Sequence, residues 1–315
     1  MSNKPLVSIG LPTYNRALTL RRAIESALTQ DYPNIELVIS DNASTDETEA
    51  ICLEACRSDG RVKYLRQQKN HGAVTNFREV LKQSRGEFFM WLSDDDWLGQ
   101  SYVGRCLEVL LERPDYSLVC AKSKYFKERE FISDGMVVNL PQDSGSDRVL
   151  AYYAQVADNG TLYGVMRRTQ VLELPLRSTM GADWLFIAAV AFMGKVETLE
   201  DTYVNRSLGG ATDSYKKIAA TLGLSSFAAA HPHLSIAASA FSDIVWKAHV
   251  YSKKGIFSRL RLGCKVFLLV ARRDNGFSWS FYLPRRIAAI AMTKLLPAHT
   301  VDKIRTRRRE AGRGR

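Results

Sequence analysis

The chain has 315 residues, of which 46% are hydrophobic and 24% charged, enough to bury one large core or two modest ones. No window holds the roughly 18 uninterrupted apolar residues of a membrane span, and a polar start followed by a short apolar run that ends at Pro12 predicts no signal peptide. The net charge of +11 is lopsided: residues 251–315 carry 17 Lys+Arg against 3 Asp+Glu, leaving 27 against 30 in residues 1–250, so an anionic surface is expected near the C-terminal end. The five cysteines are odd in number and scattered, which suits reduced thiols in a cytosolic protein. Cys52 and Cys56 lie four apart with no second Cys or His pair close by, and read as buried thiols rather than a zinc site.

Strand and helix signals alternate over the first hundred residues. VSIGLP (7–12) reads as a short buried strand ended by Pro12, and 17–30 places Leu20, Ala23, Ile24, Ala27 and Leu28 on one helical face. A second strand follows at 35–41. A helix runs to about Ser58, with Ser44 or Thr45 as its expected cap. A strand at 62–67, a helix at 73–84 and a strand at 86–94 complete a βαβαβαβ order, which implies a parallel, doubly wound sheet. In such sheets ligands bind beyond the C-terminal strand ends. The polar clusters Thr13–Arg16, Asp41–Asp46, Asn70–Gly72 and Asp94–Asp96 all fall at such ends. A helix at 101–113 and a strand at 117–126 follow, then a polar loop at 127–147. Further helix and strand signals reach about residue 214, and the chain turns helical and increasingly basic from Tyr215.

The clusters suggest chemistry. Three adjacent carboxylates, Asp94, Asp95 and Asp96, follow four apolar residues, and clustered acids at a buried strand end suit a hard divalent cation that leaves coordination sites open for phosphate oxygens. In PTYNR (12–16) the backbone amides beyond Pro12 would cradle a diphosphate. Asp41 would accept the imide N–H of a uracil or thymine ring, and the Asn70–Gly72 turn would reach the base. Taken singly, each has a plain alternative as a turn or a helix cap.

Taken together, VSIGLPTYNR, IELVISDNASTDET, the Asn70-x-Gly72 turn with Asn76, and GEFFMWLSDDDWL resemble the family 2 glycosyltransferases with the GT-A fold, closely over about residues 5–112 and less so to about 214. The resemblance implies an α/β fold with a doubly wound, Rossmann-like, mostly parallel sheet. It implies a nucleotide-binding half at about 1–112, an acceptor half at about 113–214, and a basic helical region at 215–315. It also implies inverting, Mn²⁺- or Mg²⁺-dependent transfer from a UDP- or dTDP-sugar to an acceptor hydroxyl. The donor set would be Pro12, Thr13, Tyr14, Asn15, Arg16, Asp41, Asn70, Gly72, Asn76 and Asp94, with the metal on Asp95 and Asp94 and Asp96 capping the next helix. Ser93 stands where the family motif usually has its first acid. Asp183, after Gly181 at the head of an apolar helix, maps to the general base, ahead of Asp201 and Asp158. Gly164 and Arg167 match the acceptor-side strand and helix. Where many members carry a histidine, NRSLGGAT has none, and Arg206 is the residue that would neutralise the leaving phosphate.

The basic stretches 255–273 and 283–297 mix aromatics with Lys and Arg, as in helices that lie on an anionic bilayer; the alternative is a helical subdomain packed on the sheet. The expectation is a peripheral enzyme at the inner face of the bacterial plasma membrane. Its acceptor would be a saccharide, with linkage to polyprenyl diphosphate expected, in O-antigen, capsule or exopolysaccharide assembly. No helix-turn-helix, zinc or RNP motif supports nucleic acid. Two rivals are a sugar nucleotidyltransferase, which would normally show a Gly-rich G-x-G-x-R loop where PTYNR stands, and a non-catalytic protein with a decayed nucleotide site. His231 and His233 read as a loop pair.

Overall fold

The computed structural model describes residues 4–127, 129–209 and 214–274. Four parallel strands form one side of the sheet: β1 (Val7–Thr13), β2 (Ile35–Asp41), β3 (Val62–Arg66) and β4 (Phe88–Trp91). β1, β2 and β4 are buried at every position, which is why they read as unbroken apolar runs. They are linked by α1 (Ala17–Leu28), α2 (Thr48–Ser58) and α3 (Ala73–Gln83). The sheet continues through β5 (Trp97–Leu98), β6 (Tyr116–Lys127), β7 (Glu130–Asp134), β8 (Val165–Arg167) and β9 (Lys195–Ser207) in the order β3-β2-β1-β4-β8-β6-β9-β5, with β7 paired to β6. β6 runs parallel to β9, whereas β8 is antiparallel to both β4 and β6. The mixed, mostly parallel α/β architecture expected from the sequence is therefore present.

Pro12 does not end its strand. β1 continues to Thr13, with Pro12 opposite Ser40 of β2. The ladder to β4 stops at Gly10 opposite Trp91, so the N–H that proline lacks would face a side where no strand waits for it.

α4 (Tyr102–Glu112), α5 (Gly145–Gln155), α6 (Arg168–Val171) and α7 (Ala182–Met193) follow, then α8 (Tyr215–Thr221), α9 (Ser226–Ala230), α10 (Pro232–Ser242) and α11 (Ile256–Ala271). Two apolar clusters cover the sheet. One joins β1 and β2 to α1 and α4; the other joins β4, β6 and α7 to α5, α10 and α11. The second cluster runs across residue 214: Leu262, Val266 and Val270 of α11 belong to it along with Trp91 and Leu118. The apolar face of 255–273 is thus turned onto the protein rather than outward, leaving Phe257 84% exposed at the start of α11. The stretch 283–297 and the last basic residues lie outside the described residues. Among the described residues no helix is long and apolar enough to cross a membrane.

Three local expectations need correction. The polar segment 127–147 contains strand β7 and the start of α5. α2 begins at Thr48, where the Asp46 carboxylate, not Ser44 or Thr45, accepts the Thr48 amide. His233 lies inside α10, while His231 meets Asp274 at 3.0 Å.

Candidate active site

The C-terminal ends of β1 to β4 meet, and their loops bond mainly to one another. Asn15 sits in the left-handed region at φ 53, where Asn is tolerated better than most side chains. Its amide donates to Ser44 Oγ at 2.9 Å, and its Oδ1 accepts the Thr45 amide at 2.8 Å. The amides of Arg16 and Ala17 go to Thr48 Oγ1 and Asp46 Oδ2. These amides were expected to cradle a diphosphate; they hold the β2–α2 loop instead. Tyr14 stays 42% exposed at the lip.

Asp41 is completely buried at the end of β2. One oxygen accepts the Ser44 amide and hydroxyl, and the other accepts the Tyr64 hydroxyl at 2.9 Å, with Arg66 at 3.7 Å. The base-binding role expected of Asp41 thus meets a carboxylate that already has protein partners. Asn70 and Asn76 brace the same ends. Asn70 Oδ1 accepts from Asn42 and from the Gly72 amide, both at 2.8 Å. Gly72 supplies φ +83, a turn that side chains rarely adopt. Asn76 Nδ2 bridges the carbonyls of Thr13 and Ser40, which ties β1 to β2.

The acid triplet divides its charge between two surroundings. Asp94 lies 3.5 Å from Arg16 Nε, and Asp95 lies 3.9 Å from Arg16 Nη2. Burial, and then the neighbouring Asp95, push the Asp94 carboxyl up to about 7 against the pull of Arg16 and the Tyr14 amide. One arginine at these distances leaves two carboxylates under-compensated. Among the described residues no three His, Cys, Asp or Glu side chains form a cage for a metal. A hard cation that also takes diphosphate oxygens and water needs only one or two protein carboxylates, which Asp94 and Asp95 can supply.

Asp96 is different. It is 2% exposed and does not cap α4, which starts after Ser101. Tyr163 Oη donates to its Oδ2 at 2.6 Å and the Ser207 amide to its Oδ1 at 2.8 Å, with Arg206 Nε at 3.4 Å. Tyr163 has one proton and gives it to Asp96, so Ser93 Oγ, 2.7 Å from Tyr163 Oη, donates in turn. An acid at position 93 would add a further charge beside Asp96 and bring no proton, which accounts for serine here. The Asp95 carbonyl accepts Arg22 Nη2 at 3.0 Å and Ser207 Oγ at 2.7 Å, and Arg22 lies 3.6 Å over the Trp97 ring. Arg206, expected at the leaving phosphate, is 9% exposed. Its Nη1 goes to Asn159 Oδ1 at 2.7 Å and Tyr125 Oη at 3.0 Å.

Asn159 carries the network to a cavity of about 470 Å³ walled by Val74, Phe77, Leu162, Leu176, Trp184, Tyr215, Ile218 and Leu222, a size usual for a ligand site. Asp183 and Asp158 line it. Gly181 turns the chain into α7 at φ +68, and a Cβ there would meet Ile236 at 2.8 Å. This turn puts Asp183 in the first helical turn. Burial raises the Asp183 carboxyl above its ordinary range, opposed by the Trp184 and Asp183 amides at the helix start and by Arg206, and reinforced by Asp158. Asp158 accepts the amides of Gly160 at 2.8 Å and Met136 at 3.0 Å. Asp201 lies outside the cavity lining, with its carboxylate held by Arg105 at 2.8 Å. Gly164 packs against Leu118, and Arg167 donates to the carbonyls of Leu110 and Tyr116.

Arg22, Tyr64, Tyr125, Asn159, Tyr163 and Ser207 complete these networks and were not singled out from the sequence. Tyr163 meets its partner across 67 residues, and Arg206 meets Asp96 across 110. No local pattern announces such pairs.

A known family and three known proteins resemble the chain. The family model described as "Glycosyl transferase family 2" matches residues 8–169. Glycosyltransferase GlyA of Streptococcus pneumoniae serotype 4 is 30% identical over 168 residues, 53% of this chain and 22% of that protein. The GalNAc(5)-diNAcBac-PP-undecaprenol beta-1,3-glucosyltransferase of Campylobacter jejuni is 38% identical over 95 residues, 30% of this chain and 31% of that protein. The chain thus spans well under half the length of either relative. S. aureus TarS 1-349 in complex with UDP-GlcNAc superposes with a TM-score of 0.61 at 17% identity, covering 89% of this chain and 76% of that one. That likeness carries the fold, GT-A.

Proposed function

This chain belongs to glycosyl transferase family 2; on that premise we propose that it is an inverting, metal-dependent glycosyltransferase moving a sugar from a UDP- or dTDP-sugar to an acceptor hydroxyl. The observation that carries the reading is the pairing of two sets of acids in one molecule. Asp94 and Asp95 stand at the end of β4 beside Arg16, and Asp183 opens α7 on the wall of a cavity. The network through Asp96, Arg206 and Asn159 joins the two.

In this mechanism Asp183 accepts the proton of the acceptor hydroxyl. The acceptor oxygen bonds to the anomeric carbon from the face opposite the diphosphate, and the bond from that carbon to the diphosphate oxygen breaks. The raised carboxyl of Asp183 suits a base that must take a proton in the transition state. Asp94 and Asp95 would hold Mn²⁺ or Mg²⁺. When bound, the ion supplies Lewis-acid stabilisation of the charge on the departing diphosphate. Arg16 adds a permanent positive charge at the same place. Asp41 and Asn76 keep the strand ends in position for the nucleoside, and Asp96 fastens the acid loop to β9. On this reading donor binding belongs to residues up to about 112, and the acceptor meets residues beyond.

A uridine donor is in keeping with the like-folded TarS complex. The undecaprenol-linked substrate named for the Campylobacter relative, together with the basic C-terminal end, supports an acceptor on a lipid-linked saccharide. The enzyme would then work in cell-surface polysaccharide assembly, at the cytoplasmic face of an anionic membrane. Titration calorimetry with UDP and with dTDP, each with and without Mn²⁺, tests the donor reading. Binding that requires metal and is lost in Asp95→Asn is expected. No binding of either nucleotide would end it.

A further inference from the structure

The cavity beside Asp183 has a definite character. Among its described lining residues two are acids, Asp183 and Asp158, and one is a cation, Arg177. Arg177 pairs with Asp243 through Nε, which neutralises its charge, and keeps a buried Nη2 without a hydrogen-bond partner among the described residues. The Thr179 hydroxyl is taken by Ser239 at 2.9 Å. Most of the remaining wall is aliphatic or aromatic, with Tyr215 at its rim. A ligand group here meets apolar surface on its sides and two carboxylates, while the cations near the wall are engaged elsewhere: Arg177 with Asp243, Arg206 behind Asn159 with Asp96, and Arg273 over Trp184 with the carbonyls of Tyr153 and Val156.

Resting on the reading of Asp183 as the base, we propose that this cavity takes a neutral acceptor sugar with an apolar edge, such as an N-acylated or 6-deoxy hexose, and rejects one carrying a carboxylate or phosphate beside the reacting hydroxyl. The apolar walls favour a methyl or acetyl substituent by removing it from water. The two carboxylates disfavour an anion by like-charge repulsion, which an apolar surround strengthens. The rejection acts as specificity built against the wrong partner. A diphosphate linking the acceptor to a lipid would lie outside this cavity.

The test uses the full chain and four probes in ligand-observed NMR titrations: a methyl N-acetylhexosaminide, a methyl 6-deoxyhexoside, a methyl hexuronide and a hexose 6-phosphate. Like-charge repulsion predicts that the two neutral sugars bind at least about tenfold more tightly than the two anions. Asp158→Asn should narrow that gap by about tenfold. Tyr215→Lys, at a position 36% exposed on the rim, should narrow it as well. Anions binding as tightly as the neutral sugars, a gap unchanged in both variants, or no binding of any probe would overturn the proposal. UDP and Mn²⁺ calorimetry on the same preparations separates the two readings. Nucleotide binding with undiscriminating sugar binding sinks the acceptor assignment alone, whereas discrimination among sugars with no nucleotide binding sinks the donor reading alone.

Discussion

The two ends of the proposed site, the strand ends assigned to the donor and the cavity assigned to the acceptor, are built from different materials. At the ends of β1 to β4 the polar atoms bond across loops: Asn15 to Ser44 and Thr45, Asn70 to Asn42, Asn76 to two strand carbonyls. At the cavity the walls are mainly apolar, and Thr179 and Arg177 bond away to Ser239 and Asp243. The first arrangement holds one geometry before any ligand arrives. The second discriminates by shape and by the sign of charge. A nucleoside diphosphate is a fixed chemical shape, for which a preset frame suits. An acceptor differs from one enzyme to another, and a wall of apolar side chains is changed by substitution without disturbing a bonded frame.

The largest expected effects sharpen that contrast. Asp183→Asn removes the proposed base and keeps the shape. Turnover should fall by about a thousandfold while UDP binding stays as it was, seen by steady-state kinetics beside calorimetry; a loss of UDP binding would mean that the two ends are not separable. Arg206→Met removes the guanidinium that joins them and leaves Asp96 buried without its counter-charge. Breaking such a pair costs about 3–5 kcal/mol, measurable by urea unfolding. Adding Asp96→Asn to the same chain should restore part of the loss. A smaller effect concerns pH. Asp183 must be ionised to act; burial raises its carboxyl most, the helix-start amides and Arg206 oppose the rise, and Asp158 adds to it. The acid limb of turnover should therefore lie above the ordinary carboxylate range and move to lower pH in Asp158→Asn. A limb that stays in place would remove Asp158 from the electrostatics of the base.

The same contrast explains what could be read in advance. β1, β2 and β4 are buried at every position, so their apolar runs and polar ends stand out in the sequence. β7 does not, because all five of its residues are exposed and it pairs with β6 alone. β4 stops at Trp91 and not at Asp94, and the turn that follows sends Asp96 away from Asp94 and Asp95. The residue types of the donor end were legible and their partners were not. The loop amides looked free for phosphate, yet Ser44, Asp46 and Thr48 reach them from across a strand. Within the acid triplet Asp94 and Asp95 face Arg16, while Asp96, expected to cap the next helix, belongs instead to the framework with Tyr163 and Arg206. On the acceptor side Asp183 had a clear local signal, a glycine and an acid ahead of an apolar helix. The cavity walls come from α3, α7, α8 and the segments between, and proximity of that kind is created by folding.

The smallest effect is expected at Asp201, which was a rival for the base. Its carboxylate lies on β9 and takes two bonds from Arg105, at 2.9 and 2.8 Å, with both side chains about half exposed. An ion pair in water is screened by salt and contributes little. It touches neither the strand-end loops nor the cavity lining. Asp201→Asn should therefore leave turnover within about twofold and nucleotide binding unchanged, in the same assays that show Asp183→Asn to be crippled. A fall in turnover as deep as that of Asp183→Asn would place a proton acceptor on β9. The division into a preset donor end and a discriminating acceptor cavity would then have been drawn around the wrong acid.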